Sequence, residues 1–171
     1  SALAEAAGGE KRRPLIYCGG FYEKYAENGV CAVVCAAIEE SGVADHLFTT
    51  RLGGVSEGCF ASMNLTTATG DSAATVAENL RRLLPAVSGG QSRVCHTHQV
   101  HGDVILPVTE ANAADPPDCD GLMTDEAGLL LVGKFADCVP VLLCDTARRV
   151  CAVVHAGWRG TVQRIAEKAV L

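Results

Sequence analysis

The 171-residue sequence predicts an α/β or α+β layered sandwich, in which a mixed sheet with antiparallel hairpins is covered by helices on the outside. Three observations support this class. Short apolar runs rich in Val and Leu are separated by turn residues, and at least two other stretches have helical periodicity. Two of the apolar runs are also joined by only a few polar residues. Such a connection suits an antiparallel hairpin, because a parallel return needs a dozen or more residues.

Composition excludes several classes of function. Hydrophobic residues make up 49% of the chain and charged residues 20%, which is typical of a globular protein. The net charge is −6, and no predicted helix or strand has a cluster of Lys or Arg along it, so we expect no nucleic-acid partner. No apolar run approaches the 18 residues of a membrane span, and the first residues do not resemble a secretion signal. Nine scattered cysteines then predict free thiols in a reducing, cytoplasmic location.

The chain is expected to begin with a loose tail over residues 1–13. Residues 14–171 are expected to form a single domain. The apolar run 30–38 fits either a strand or a helix, and residues 43–50 are predicted to form a strand. The glycine-rich loop 52–58 is, taken alone, a surface turn.

Arg51 and Asn64 are the candidate substrate-binding residues of the first half of the chain. Arg51 stands at the mouth of the glycine-rich loop, and its guanidinium suits bidentate contact with phosphate or a carboxylate. Asn64 lies in the polar segment that follows. Asp71 or Ser72 is then expected to cap a helix over residues 73–84, which Pro85 ends.

Three of the five histidines fall within six residues, in the stretch 94–106. Strand alternation places His96 and His98 on one face and His101 on the other, unless the chain kinks near Gly102. Histidine is both the commonest metal ligand and an ordinary polar strand residue, so a metal role for one of these three and a structural role are about equally supported. The later Asp118-Cys119-Asp120-Gly121 is more simply an Asp-Gly turn.

The hairpin over residues 136–160 carries the strongest signal. If Asp145 faces Val150 across its turn, then Pro140 faces His155, and Cys138 lies two residues further along on the same face. Diagonal neighbours in such a pair are roughly 7–8 Å apart by backbone, so side chains that lean together can share one ion or substrate atom. A helix is expected to begin at Thr161, directly after the hairpin.

His101, Cys138 and His155 together could bind a tetrahedral metal and leave one position open, which is the pattern of catalytic zinc. Copper is less favoured, because a multicopper oxidase needs more imidazoles than the five histidines here. In a metal-free alternative, His155 activates Cys138 as the nucleophile of a thiol hydrolase or amidase, although a neighbouring Asp137 raises a thiol's pKa. A fourth alternative is that Cys138 and His155 are core residues.

The residues around this set offer places for a substrate. Arg51 and Arg159 could hold an anion, and Arg159-Gly160 are expected to precede a helix, whose N-terminus binds phosphate. Trp158, the only Trp, could stack on a flat ring or pack in the core, with equal support for each.

Five motifs occur over about residues 43–171: Thr49-Thr50-Arg51-Leu52-Gly53-Gly54-Val55-Ser56, Gln99-Val100-His101-Gly102, Asp118-Cys119-Asp120-Gly121, Ala136-Asp137-Cys138-Val139-Pro140 and His155-Ala156-Gly157-Trp158-Arg159-Gly160. Together and in this order they resemble the laccase-domain-containing purine nucleoside phosphorylase family, long labelled polyphenol oxidase. The family domain normally continues well beyond the last motif, so the chain is expected to be truncated at its C-terminus.

The resemblance implies a zinc site at His101, Cys138 and His155, in an α/β sandwich related to a class of cysteine hydrolases. It implies phosphorolysis of adenosine, inosine and methylthioadenosine, and deamination of adenosine at the same site. Catalytic roles then fall to Cys138, His155 and Arg51. Nucleoside and phosphate contacts are expected from Arg51, Asn64, Asp137, Trp158 and Arg159. The additional imidazoles of His96 and His98 could compete for the metal.

Overall fold

The computed structural model describes residues 16–17, 20–87 and 93–171. The tail predicted over residues 1–13 lies outside these described residues. The mixed α/β class is confirmed: strands of both orientations form three sheets in the described part of the chain, with few and short helices.

The chain divides into two compact units, residues 1–90 and residues 91–171. That residues 14–171 form a single domain stays a prediction. Within the described residues, none of the helices is both long enough and apolar enough to span a membrane.

The first unit contains an antiparallel four-stranded sheet in the order β1-β2-β3-β4. Its elements are β1 (Ile16–Tyr17), β2 (Phe21–Tyr25), β3 (Cys31–Cys35), α1 (Ala36–Ser41), β4 (Phe48–Thr49) and α2 (Ala73–Leu83). The ambiguous run 30–38 is therefore a strand followed directly by a helix. The strand predicted over residues 43–50 is wrong except at its end. Just before β4, the imidazole Nε2 of His46 accepts a hydrogen bond from the Cys35 backbone N–H at 2.7 Å. This side-chain contact takes the place of the backbone hydrogen bonds that a longer strand would make.

Helix α2 confirms the predicted cap and helix, since the Ser72 hydroxyl accepts a hydrogen bond from the Thr75 backbone N–H at 3.0 Å. Its apolar side, with Leu80 and Leu83, packs against Val30 and Met63 to form the core of this unit. Burial of these side chains stabilises a helix that is too short to persist alone.

The second unit is built around a four-stranded sheet in the order β6-β7-β10-β9, in which only the β6–β7 pair is parallel. A separate parallel pair joins β5 and β8. The strands are β5 (Arg93–His96), β6 (Ile105–Pro107), β7 (Gly121–Thr124), β8 (Leu129–Val132), β9 (Val139–Asp145) and β10 (Val150–Ala156). Strand β10 is central and most of it is buried, which explains its run of small and β-branched residues.

Two predictions for this unit need correction. The stretch 94–106 is not a continuous strand, because β5 ends at His96 and a loop precedes β6. The helix expected from Thr161 is broken into α3 (Trp158–Val162) and α4 (Ile165–Lys168), since Arg164 between them has a left-handed backbone with φ +65°. The break lets Ile165 reach full burial against Val154.

Candidate metal centre

Three side chains that are far apart in the sequence converge in the second unit. His101 lies in the loop between β5 and β6, Cys138 directly precedes β9, and His155 is near the end of β10. One ligand atom from each residue, an imidazole nitrogen or the thiol sulfur, lies within 4.8 Å of the other two. The two imidazole rings meet edge to face, with centroids 4.9 Å apart. Among the described residues, this is the one group of His, Cys, Asp or Glu side chains arranged to hold a metal ion.

Strand register explains why Cys138 and His155 meet. Asp145 pairs with Val150, Pro140 with His155 and Val139 with Ala156 in the antiparallel β9–β10 hairpin. This is the register that the sequence predicts. Cys138 is one residue beyond the last pair, so it leaves the hairpin beside His155.

His101 reaches the same place through an unusual backbone conformation. Its φ is +60°, which is uncommon for a residue with a side chain and which turns the loop sharply. The backbone N–H groups of Val100, His101 and Gly102 all donate hydrogen bonds to the carboxylate of Asp120, at 3.2, 3.0 and 2.7 Å. These three bonds offset the cost of the left-handed residue and hold the turn in place.

Asp120 also contacts the second imidazole. Its Oδ1 lies 2.7 Å from Nδ1 of His155, and both side chains are buried. Burial alone would raise the pKa of Asp120, but the hydrogen bonds from His155 and from the Gly102 and Val100 amides outweigh it and lower the pKa below its usual value. The group is therefore a carboxylate near neutral pH, and it leaves Nε2 of His155 for the centre.

The Gln99 side chain joins the segments that carry His101 and Cys138. Its amide nitrogen donates to the Lys134 carbonyl at 2.7 Å, and its amide oxygen accepts from the Lys134 N–H at 2.9 Å. The two hydrogen bonds have the pattern of a backbone strand pairing, at a place where these two segments are not paired as strands. Phe135 follows directly, and its ring lies 5.7 Å from the ring of His155.

Gly157 provides the space that the two imidazoles need. A Cβ built at this position would lie 2.7 Å from Nδ1 of His101 and 3.2 Å from Cε1 of His155. The first distance is shorter than real Cβ contacts, so any side chain here would displace the ring of His101.

Cys138 is half-buried, and its pKa is raised above the usual value by this burial and by the charge and hydrogen bond of Asp137. A thiol with a raised pKa is mostly protonated near neutral pH, which disfavours a metal-free nucleophile. A metal would favour the thiolate instead, because the ion supplies the opposite charge.

These residues fit a metal by their chemistry. Two imidazoles and one thiolate are three ligands of types that tetrahedral zinc uses, and a set of three leaves one position for water or substrate. A buried carboxylate on the outer nitrogen of a ligating histidine is the usual support of such a site. His96 and His98 do not belong to the group of three, and His98 instead lies 3.8 Å from Asp118.

Three exposed residues, Asp137, Trp158 and Arg159, lie close to Cys138 or His155 in the sequence. Trp158 is 68% exposed, so the alternative that it packs in the core is wrong. The guanidinium of Arg159 lies over its indole, 5.1 Å from the ring centroid. The expectation that Arg159-Gly160 precede a helix is also wrong, because α3 begins at Trp158 and is only five residues long.

Arg51 and Asn64 lie in the first unit, where each makes internal hydrogen bonds. The Arg51 guanidinium donates twice to the Ala61 carbonyl, at 3.0 and 2.5 Å. The Asn64 side-chain amide donates to the Thr66 carbonyl at 2.8 Å and to Asp71 at 2.9 Å. Their expected contacts with substrate stay predictions.

Sequence reasoning missed the supporting roles of Asp120, Gln99 and Gly157. The sequence around Asp120 suits a plain Asp-Gly turn, yet it also contains a usable signal: the acid directly precedes Gly121 at the start of an apolar strand. An acid in that position is either exposed by the turn or buried with several donors, and the structure shows the second case.

Comparisons with known proteins identify relatives of this chain. The chain is 40% identical over 140 residues to purine nucleoside phosphorylase YlmD of Geobacillus stearothermophilus, covering 77% of this chain and 51% of that protein. It is 42% identical over 125 residues to a purine nucleoside phosphorylase of Deinococcus radiodurans, covering 73% and 48%. The chain thus spans about half the length of these curated relatives.

Solved structures give the same result. The crystal structure of Geobacillus stearothermophilus YlmD matches with a TM-score of 0.66 at 34% identity, over 90% of this chain and 56% of that one. The Bacillus licheniformis protein YfiH matches with a TM-score of 0.75 at 31% identity, over 86% and 57%. Residues 45–171 match the family model described as multi-copper polyphenol oxidoreductase laccase. With its three-residue centre and these relatives, the chain belongs to that laccase-like family, which includes proteins named purine nucleoside phosphorylase.

Proposed function

We propose that the protein is a zinc-dependent purine nucleoside phosphorylase that acts on adenosine, inosine and methylthioadenosine and also deaminates adenosine. The observation that carries the proposal is the convergence of His101, Cys138 and His155, whose ligand atoms lie within 4.8 Å of one another. The names of the relatives supply the reaction class.

The proposed reactions make definite demands on the chain. In phosphorolysis a phosphate oxygen bonds to C1′ of the ribose, while the bond from C1′ to the purine nitrogen breaks and the base takes up a proton. In deamination water replaces the amino group of the purine ring, and ammonia leaves. A bound metal would supply a Lewis acid at this place. The chain's own part is to bind the nucleoside and the anion beside it.

Side chains suited to these tasks adjoin Cys138 and His155 in the sequence, and two more lie in the first unit. The exposed indole of Trp158 offers a face on which a purine can stack, and Arg159 adds a positive charge beside it. Arg51 is proposed as a phosphate ligand, with Asn64 and Asp137 as nucleoside ligands. Cys138 and His155 act chiefly by holding the metal. The partners are then small molecules, and we propose a cytoplasmic location.

Zinc is preferred to copper for a reason of ligand number. The family model's description names a multicopper enzyme, but the sequence contains five histidines in all, and the described residues bring two of them to the centre. That set suits one ion with an open position. A cluster of several copper ions needs more imidazoles than the described residues bring together at this centre.

The test is elemental analysis of the purified protein together with product identification from inosine and phosphate. We expect zinc in about equimolar amount, with hypoxanthine and ribose 1-phosphate as products. Treatment with a strong chelator should abolish turnover, and zinc should restore it better than copper. Turnover that survives removal of the metal would replace this proposal by the thiol hydrolase alternative. Oxidation of a phenol on addition of copper would favour the polyphenol oxidase alternative.

A further inference from the structure

The carboxylate of Asp120 is fully buried and contacts two of the three candidate metal ligands. Its Oδ1 faces Nδ1 of His155 and the N–H of His101, while its Oδ2 faces the N–H groups of Val100 and Gly102. In three of these contacts a backbone N–H donates to the carboxylate, and the fourth joins it to the imidazole of His155, so one side chain contacts both histidines.

From this geometry we infer that Asp120 is a positioning residue: it fixes the proton of His155 on Nδ1 and the backbone of His101, so that both imidazoles are oriented before a metal binds. The inference deepens the proposed function and rests on the part of it that places a metal at the three residues.

The chemistry of the contact with His155 fixes the tautomer. Oδ1 of Asp120 accepts from the N–H of His101 and Oδ2 from the N–H groups of Val100 and Gly102, so this geometry assigns the carboxylate as the acceptor and Nδ1 of His155 as the donor of the fourth contact. In the neutral ring, Nε2 then has its lone pair free, which is the form that binds metals. The opposite tautomer would point an N–H at the centre and block coordination.

An asparagine at position 120 cannot replace all four contacts, although it has the same shape. If its NH2 group takes the place of Oδ1, it donates to Nδ1 of His155, drives the proton to Nε2 and also faces the N–H of His101. If the NH2 group takes the place of Oδ2, it faces the N–H donors of Val100 and Gly102, and the turn at His101 is pushed away. Either orientation disturbs at least one of the two histidines.

The backbone of residue 120 is secured separately from its side chain. The Asp120 carbonyl accepts from the His155 N–H at 2.6 Å, and the Asp120 N–H donates to the Val104 carbonyl at 3.0 Å. Because these bonds do not involve the carboxylate, Asp120→Asn should retain the strand contacts around position 120. Its effects can then be assigned to the ligands.

The test compares Asp120→Asn with Asp118→Asn, a matched loss of charge two residues away at an exposed position. Zinc affinity is measured by competition with a chromophoric chelator. We expect Asp120→Asn to weaken zinc binding by about 10–100-fold, the usual effect of removing such a support, and Asp118→Asn to change it by no more than about twofold. Replacement of zinc by cobalt should also show a weakened thiolate-to-metal absorption in Asp120→Asn.

A second readout needs no metal, and its first part needs no variant. Long-range nitrogen–proton NMR of the metal-free wild-type chain should show His155 protonated on Nδ1, and Asp120→Asn should shift that proton toward Nε2. A merely structural role would lower the melting temperature and leave the tautomer and the zinc affinity of the folded protein unchanged.

Two results would overturn the inference: zinc affinity in Asp120→Asn equal to that in Asp118→Asn, or a wild-type His155 protonated on Nε2. If Asp120→Asn does not fold, the wild-type spectrum decides. Failure of the proposed function gives a different pattern. A wild-type chain that binds zinc with the expected tautomer but never cleaves inosine contradicts the phosphorylase proposal and leaves the role of Asp120 intact.

Discussion

Among the described residues, each unit buries one polar side chain completely, Asn79 in the first and Asp120 in the second, and the two are used differently. Asn79 accepts from the Val55 N–H and donates to the Ser56 hydroxyl and the Asn64 carbonyl, all at 2.8 Å. Every polar atom of its side chain is thus used on neighbouring loop residues.

Asp120 also has its hydrogen-bonding capacity used, but its partners are the imidazole of His155 and the backbone N–H groups around His101, which belong to the two histidines of the centre. His101 and His155 each present one ring nitrogen to the thiol of Cys138. A buried polar network that closes on loop backbone stabilises a scaffold, whereas one that supports converging donors prepares a site. The difference can be tested by breaking each network separately.

The largest effect is expected from removing the thiol of the centre. Cys138→Ala takes away one of three ligands, so zinc affinity should fall by at least ~100-fold, more than the loss of a supporting residue costs. The thiolate absorption of the cobalt-substituted protein should disappear, and nucleoside phosphorolysis with it. Cys59→Ala, at an exposed cysteine of the first unit, is the matched control and should bind zinc normally. Unchanged metal content in Cys138→Ala would show that the sulfur is not a ligand.

The next effect falls on stability and not on the metal. Asn79→Ala leaves the Val55 N–H and the Asn64 carbonyl without their partner, and we expect it to lower the free energy of unfolding by about 2–4 kcal/mol. Urea titration measures this, with Glu78→Gln as a control: Glu78 is a half-buried neighbour on the same helix, and its near-surface ion pairs with Arg81 and Arg82 should contribute less. Zinc affinity of the folded variant should match wild type. A loss of zinc binding without a loss of stability would contradict the assigned scaffold role.

The parts of the site that depend on contacts between neighbours in the sequence can be predicted from it, and the parts that depend on distant residues cannot. The β9–β10 hairpin is local, so its turn residues and apolar pattern predict the pairing of Pro140 with His155 and the approach of Cys138. Helix α2 and its Ser72 cap are predictable for the same reason. The convergence of His101 on the pair is carried by family resemblance, because its left-handed backbone depends on a carboxylate 19 residues away.

The missed features share a physical cause. Whether Asp120 is a surface turn residue or a buried support depends on four donors from two other segments, which no local pattern contains. The break at Arg164 has a similar origin, since the helical period continues through it and only the burial of Ile165 makes the kink favourable. Sequence patterns therefore predict the strands of the site better than its supports.

A smaller effect on the metal is expected from Gly157→Ala. The backbone φ of Gly157 is −67°, which alanine adopts without strain, so the change acts only through its Cβ against His101 and His155. We expect zinc affinity to fall about tenfold, because one imidazole must move from its supported position. Gly42→Ala is an informative control: a Cβ there has open space but φ is +63°, so stability should fall and zinc affinity should not. The same zinc affinity in both variants would contradict the tight packing at Gly157.

The smallest effect is a dependence of stability on pH that arises in the first unit. Burial, and then the charge of Lys24, lower the pKa of His46 below its usual value of 6.5, while Asp45 acts in the opposite direction. Its Nε2 accepts from the Cys35 N–H, which only the unprotonated ring can do. The unfolded chain therefore takes up a proton more readily than the folded one.

The sign follows from this difference in proton uptake. The stabilisation from neutral His46 is complete above pH 6.5, declines as the pH falls below it, and levels off below the folded pKa. His46→Gln keeps an acceptor for the Cys35 N–H but does not titrate, so unfolding of its metal-free form should depend less on pH between 5 and 7. Some dependence should remain, because burial, Lys134 and His98 also lower the pKa of His96 in the second unit. An identical pH profile in wild type and variant would show that His46 is not held neutral by the fold.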